Sequence, residues 1–154
     1  MAGTVVADTL QAASTSTLVL KNGVANTPPT IQDSAGTQIG TFCRAWVNFN
    51  GTLVTNPASM TGVRASFNVS SILDNSAGDY TINFTTALPD ANYCPVTQSV
   101  GESTTSLRGG SMIVGTWAGG ATLKTTTQLR IYTGYTFTTG GAIDSAEVNV
   151  AIFR

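Results

Sequence analysis

The sequence predicts an all-β chain, an antiparallel β-sandwich or jelly-roll-like domain, and three observations carry that prediction. Apolar residues recur with period two from Phe42 onward, and no window sustains the 3.6-residue period of an amphipathic helix. Turn signals, among them Asn50-Gly51, Asn75-Ser76-Ala77-Gly78-Asp79, Leu88-Pro89-Asp90-Ala91-Asn92, Gly109-Gly110, Gly119-Gly120 and Gly140-Gly141, separate these runs at about ten-residue spacing. Glycine and asparagine there supply the positive φ that tight hairpins demand.

Residues 1–40 differ from the rest. Ala, Thr, Ser and Gly dominate, with one strand-like run, Thr17-Leu18-Val19-Leu20, and the turn-rich Asn26-Thr27-Pro28-Pro29. Such a segment buries little by itself. It reads either as an extended arm, ordered by contact with its own oligomer or another protein, or as an N-terminal hairpin on the main sheet. Residues 41–154 carry the β-rich domain. Ala45, Val47 and Phe49 fall on one face of the first strand, with Arg44, Trp46 and Asn48 on the other, so protein is expected on both sides at Trp46. Ala65, Phe67 and Val69 are expected to share a face, as are Tyr80, Ile82 and Phe84, whose strand turns threonines outward. Val148, Val150 and Ile152 oppose Asn149, Ala151 and Phe153 in a packed last strand. Trp46, Phe49, Phe67, Tyr80 and Phe84 are the aromatic residues assigned to core or subunit packing.

Composition excludes several function classes. The 154 residues hold seven Lys+Arg and eight Asp+Glu, a net charge of −1, and the basic residues are scattered, which argues against nucleic-acid or anionic-membrane binding. Charged residues make up 10%, against about a quarter in an average protein, so the surface is unusually neutral. With no histidine there is no imidazole acid or base and none of the common zinc sets. No apolar run approaches the roughly 20 residues of a membrane helix, and the start, Met1-Ala2-Gly3-Thr4-Val5-Val6, lacks the basic and apolar regions of a secretory signal. Synthesis in a reducing cytoplasm is the resulting expectation. Cys43 and Cys94, both among apolar neighbours, are accordingly expected to be buried free thiols.

No motif nominates a catalytic centre, a metal or a cofactor. Asp74 and Asp79 flank one turn and read as turn-capping residues, while Asp144 and Glu147 lack a partner that would make a glycosidase pair. The double glycines are not followed by the Lys-Ser/Thr of a phosphate loop. Aromatic rings set among glycine and threonine, Trp117 and the run Tyr132-Thr133-Gly134-Tyr135-Thr136-Phe137, suit the apolar face and polar rim of a sugar or a protein anchor. The competing reading packs these rings into a subunit interface or core.

The stretch Leu18 to Gly40, which includes Lys21-Asn22-Gly23 and Asp33-Ser34-Ala35-Gly36-Thr37, followed by Cys43-Arg44-Ala45-Trp46-Val47-Asn48-Phe49-Asn50-Gly51, resembles short tail-fibre or virion fibre proteins of tailed bacteriophages and prophages. The resemblance continues through Arg64-Ala65-Ser66-Phe67-Asn68-Val69, Gly78-Asp79-Tyr80-Thr81-Ile82-Asn83-Phe84 and Ala87-Leu88-Pro89-Asp90-Ala91-Asn92-Tyr93, covering about residues 17 to 95. The turn Asn75-Ser76-Ala77-Gly78 departs from the family's Asn-Gly-Thr-Gly. The resemblance implies a non-enzymatic, intertwined homotrimer of the virion. Its N-terminal arm would attach to other virion proteins and its distal domain would contact a host-surface glycan or protein. Neutral, alternating strands that bury their edges against copies of themselves agree with it. Receptor contact is expected beyond Cys94, at Trp117, Tyr132 and Tyr135 with Arg108 as polar partner, because functional loops sit where the family-like scaffold stops. The alternatives are a decoration or tail-structural protein without a receptor, and a glycan-cleaving spike.

Overall fold

A computed structural model describes residues 29, 31–100, 111–113, 123–135 and 141–154. The described chain is all-β, and every strand pair in it is antiparallel. In order the strands are β1 (Ile31–Gln32), β2 (Gln38–Gly40), β3 (Cys43–Phe49), β4 (Val63–Phe67), β5 (Val69–Ser76), β6 (Asp79–Phe84), β7 (Cys94–Val100), β8 (Ser111–Ile113), β9 (Gln128–Tyr135), β10 (Gly141–Ala142) and β11 (Glu147–Phe153). A 3-10 turn, Gly51–Leu53, follows β3, with the Asn50 side chain capping it at Thr52 N. No helix among the described residues is long and apolar enough to cross a membrane.

The strands form three sheets. β1 and β2 make an exposed hairpin of their own, closed by Asp33, whose Oδ1 accepts from the Ala35 and Thr37 amides. The first large sheet runs β4-β3-β11-β7 and the second β10-β9-β6-β5, with β8 also paired to β9. Their inner faces share one hydrophobic core. Ala45, Val47 and Phe49 meet Val148, Val150 and Ile152 from the first sheet, and Ile72, Tyr80, Ile82, Leu129 and Ile131 from the second, all at most 4% exposed. Phe49 and Tyr80 bridge the two sheets edge to face, ring centroids 5.3 Å apart, and Phe84 packs on Tyr93 in the same manner at 6.0 Å. Such contacts add about 0.5–1.5 kcal/mol beyond the area they bury.

Three expectations need correction. Ala65, Phe67 and Val69 do not share a face, because Asn68 takes φ 56° and turns the chain from the first sheet into the second. Its side chain pins that corner, donating to the Arg44 and Thr86 carbonyls and accepting from Thr86 N at 2.7 Å. Phe67 therefore stays outside, 54% exposed, while Val69 enters the core. Asp79 is no mere turn cap: it is 4% exposed and paired with Arg130. Cys94 is exposed rather than buried, and Cys43 is partly buried; both are free. Both pair in register with Phe153 from opposite sides of β11, two strand spacings or about 9.6 Å apart. That exceeds the roughly 7 Å reach of a disulfide.

The hairpin joining β5 to β6 is where a glycine is required. Gly78 sits at φ 68°, and a Cβ there would lie 2.3 Å from the Thr133 carbonyl oxygen. Its N–H donates to Asp144 Oδ1 at 2.7 Å, which also accepts from the Tyr80 hydroxyl at 2.6 Å. The turn before β11 is thus tied to the second sheet at the end of the core.

Candidate functional site

The two large sheets differ in the surface they turn outward, the first carrying an apolar row among polar ones. On the first sheet, register aligns Phe67 on β4, Trp46 on β3, Ala151 on β11 and Val96 on β7 in one row. Phe67, Trp46 and Val96 are 54%, 38% and 56% exposed. Three large apolar side chains exposed side by side depart from the scattered single hydrophobics of an ordinary surface. Ala151, the smallest member, leaves a shallow trough of about 340 Å³ between Trp46 and Val96. The next row is amides, Asn48, Asn149 and Gln98, aligned on three adjacent strands. Asn48 Nδ2 donates to Asn149 Oδ1 at 2.5 Å, and Asn149 Nδ2 donates to Glu147 Oε1 at 3.2 Å.

On the second sheet the outward rows are mostly polar: Ser71, Asn83 and Gln128 in one, Thr81 and Arg130 beside the apolar Leu73 in the next, then Asp79 with Tyr132. Arg130 Nε donates to Asp79 Oδ1 at 2.8 Å and Nη2 to Oδ2 at 2.5 Å, a two-pronged pair. Asn75 Nδ2 also donates to Asp79 Oδ1, at 3.1 Å, and to Thr81 Oγ1 at 2.9 Å. The Arg130 guanidinium lies 5.5 Å from the centroid of the Tyr132 ring. The hydrogen bonds it donates to Asp79 hold Arg130 more firmly protonated than usual, while burial and the Asp79 charge push the Tyr132 hydroxyl up. Charge is thereby cancelled within the network. Asp79 and Thr81 are buried, so what the network exposes is the Asn75 amide with part of the Arg130 guanidinium and of the Tyr132 ring, which suits the hydroxyls and C–H face of a sugar.

Of the residues expected to meet a receptor, Tyr132 lies half-buried on this face. Tyr135 ends β9, its side chain outside the described residues, as are Arg108 and Trp117. Phe49, Tyr80 and Phe84 are core residues, whereas Trp46 and Phe67 face outward. The Asp79–Arg130 pair, Asn75 and Thr81 were missed as a group. The legible signal was the spacing of Arg130 and Tyr132, two residues apart on one strand, which puts both on one face.

Among the described residues no group of three His, Cys, Asp or Glu side chains is placed to hold a metal. Asp144 is occupied by Tyr80 and Gly78, and Asp74, beside it, has one carboxylate oxygen buried without a partner. Burial, then the charges of Asp144 and Asp79, push the Asp74 carboxyl above its usual range. No family model, no curated protein and no solved structure matches this chain.

Proposed function

We propose that this chain is a tail-fibre-type structural protein of a tailed bacteriophage, a non-enzymatic homotrimer that attaches the virion to a host-surface glycan. The observation that carries the reading is the division of labour between the two outward faces. One is an apolar stripe across all four strands of the first sheet. The other is a neutral polar network with Tyr132 at its edge. A chain with one face for its own kind and one for a polar partner fits a virion attachment protein, and it accords with the sequence resemblance over residues 17 to 95. In this reading residues 1–40 lead toward other virion proteins, and residues 41–154 form the jelly-roll-like head. The passage of the chain from sheet to sheet, β3 and β4, β5 and β6, β7, β8 to β10, then β11 returning between β3 and β7, supports that architecture.

The test is adsorption of the purified protein to a panel of bacterial strains. Binding should depend on the strain, and Tyr132→Ala should reduce it at least tenfold while the melting temperature moves by no more than about 4 °C, the loss of one cation–π contact. Strain-independent or absent binding would instead assign the protein to the virion's decoration or tail structure.

A further inference from the structure

We infer that Asn75 and Arg130 select the sugar on the second sheet: Arg130 Nη1 donates to one hydroxyl of a neutral saccharide, and Asn75 Oδ1 accepts from another. The inference rests on the glycan-binding reading above and names the side chains that set its specificity.

The Asp79 carboxylate fixes both groups. Asn75 Nδ2 and Arg130 Nε converge on its Oδ1, at 3.1 and 2.8 Å, while Arg130 Nη2 takes its Oδ2. A carboxylate only accepts, so the Asn75 amide must turn its NH₂ toward the network. Both hydrogens of that NH₂ are used, one on Asp79 and the other on Thr81 Oγ1 at 2.9 Å. The Asn75 carbonyl oxygen is thereby left as an outward acceptor on an exposed residue. Backbone geometry helps to aim it. The register of β5 against β6 shifts between Asp74 and Ser76, so Asn75 is the extra residue of a bulge, a feature that redirects side chains.

The guanidinium is held in the same way. Nε and Nη2 are engaged by Asp79, and Nη1 has no acceptor among the described residues. It is not enclosed either, so its two hydrogens meet solvent, in a side chain that is 27% exposed. The face therefore presents one donor and one acceptor, both oriented before any ligand arrives, without the ordering cost of mobile side chains.

Charge and hydrogen-bond polarity then define the ligand. The Arg130 charge is matched by Asp79, and Asp74 lies within the influence of both Asp79 and Asp144, so an acidic sugar meets no net positive potential here. An amino sugar meets the guanidinium. A hydroxyl both donates and accepts, so the hydroxyls of one neutral sugar can satisfy Arg130 Nη1 and Asn75 Oδ1 together. Its C–H face is left for the Tyr132 ring, 5.5 Å from the guanidinium.

The experiment is binding to immobilised neutral oligosaccharides of glucose, galactose and mannose, each accompanied by its uronic-acid form and its monodeoxy forms. Wild-type protein should prefer a neutral member at least tenfold over its uronic-acid form, and removal of either of two hydroxyls should cost about tenfold, the worth of one hydrogen bond to a fixed partner. Asn75→Ala should bind that sugar about tenfold more weakly yet no longer distinguish it from one of the two deoxy forms. Arg130→Lys, which keeps a positive charge beside Asp79 but lacks Nη1, should become indifferent to the other. A merely structural role would weaken all forms alike, and the exposed Asn75 gives a variant whose melting temperature should match wild type. Variants that discriminate every deoxy form as wild type does, or a wild-type preference for the uronic acid, would overturn the inference and leave glycan binding standing. Binding to no member of the panel would overturn the glycan reading and this inference together.

Discussion

Removing the Arg130 guanidinium is the sharpest test of how the polar face is held. The Asp79 side chain is 6% exposed and its carboxylate receives two hydrogen bonds from Arg130 and one from Asn75. Breaking a buried pair by taking away one partner costs about 3–5 kcal/mol, because the other charge is left without compensation. Arg130 is itself 27% exposed, so water screens part of the loss. Arg130→Met should therefore cost roughly 2–4 kcal/mol, including the cation–π contact with Tyr132. Asp79→Asn should cost a similar amount, on the order of 2–4 kcal/mol, by stranding the arginine. The double variant is the informative one. With both charges gone the desolvation penalty disappears, so its loss should fall short of the sum of the single losses by about 1–3 kcal/mol. Urea unfolding at pH 7, followed by circular dichroism, measures all three. Strictly additive losses would refute the reasoning and reduce Asp79 and Arg130 to independent surface residues.

Asp74 gives a prediction about pH. Its carboxyl is raised in the folded state by burial and by Asp144 and Asp79, so the folded chain binds that proton more tightly than the unfolded one. The associated stability is present at low pH and is lost as pH rises from the unfolded value of 3.8 through the folded one. Asp74→Asn should remove this loss, leaving a flatter dependence of the urea midpoint on pH and a more stable protein at pH 7; an unchanged slope would contradict it. Gly78→Ala meets both a positive φ and the Thr133 carbonyl, and should destabilise by more than about 1 kcal/mol in thermal melts, whereas a neutral result would mean that the hairpin relaxes freely. Cys43→Ser with Cys94→Ser should leave folding and particle mass unchanged, and the native mass under non-reducing conditions should equal that of the fully reduced chain.

Period two made the central strands legible. Ala45, Val47 and Phe49, Tyr80, Ile82 and Phe84, and Val148, Val150 and Ile152 are each a buried set, because in a strand with one face on a core the residue pattern is the burial pattern. The same rule failed at Asn68. Asparagine also occupies ordinary outward strand positions here, at Asn48 and Asn83, so nothing local distinguishes the one with positive φ that moves the chain between sheets. The Asp79–Arg130 pair was illegible for a different reason, since it joins residues 51 apart and depends on the register of β6 against β9. The trough was hidden likewise. Ala151 looks unremarkable until register places Trp46 on one side of it and Val96 on the other. Cys94 shows the limit of reading burial from neighbours, because Tyr93 is 2% exposed while the next side chain points to the opposite face.

In the proposed function the second sheet presents a neutral, Tyr132-edged surface to a host glycan. Binding of the assembled protein to an array of bacterial surface polysaccharides tests it most directly, with Tyr132→Ala carried alongside and the particle mass of both checked by light scattering. Saturable binding to a defined set of neutral glycans is expected, lost in Tyr132→Ala at unchanged particle mass. Binding to no glycan above background, or binding that survives Tyr132→Ala undiminished, would contradict it.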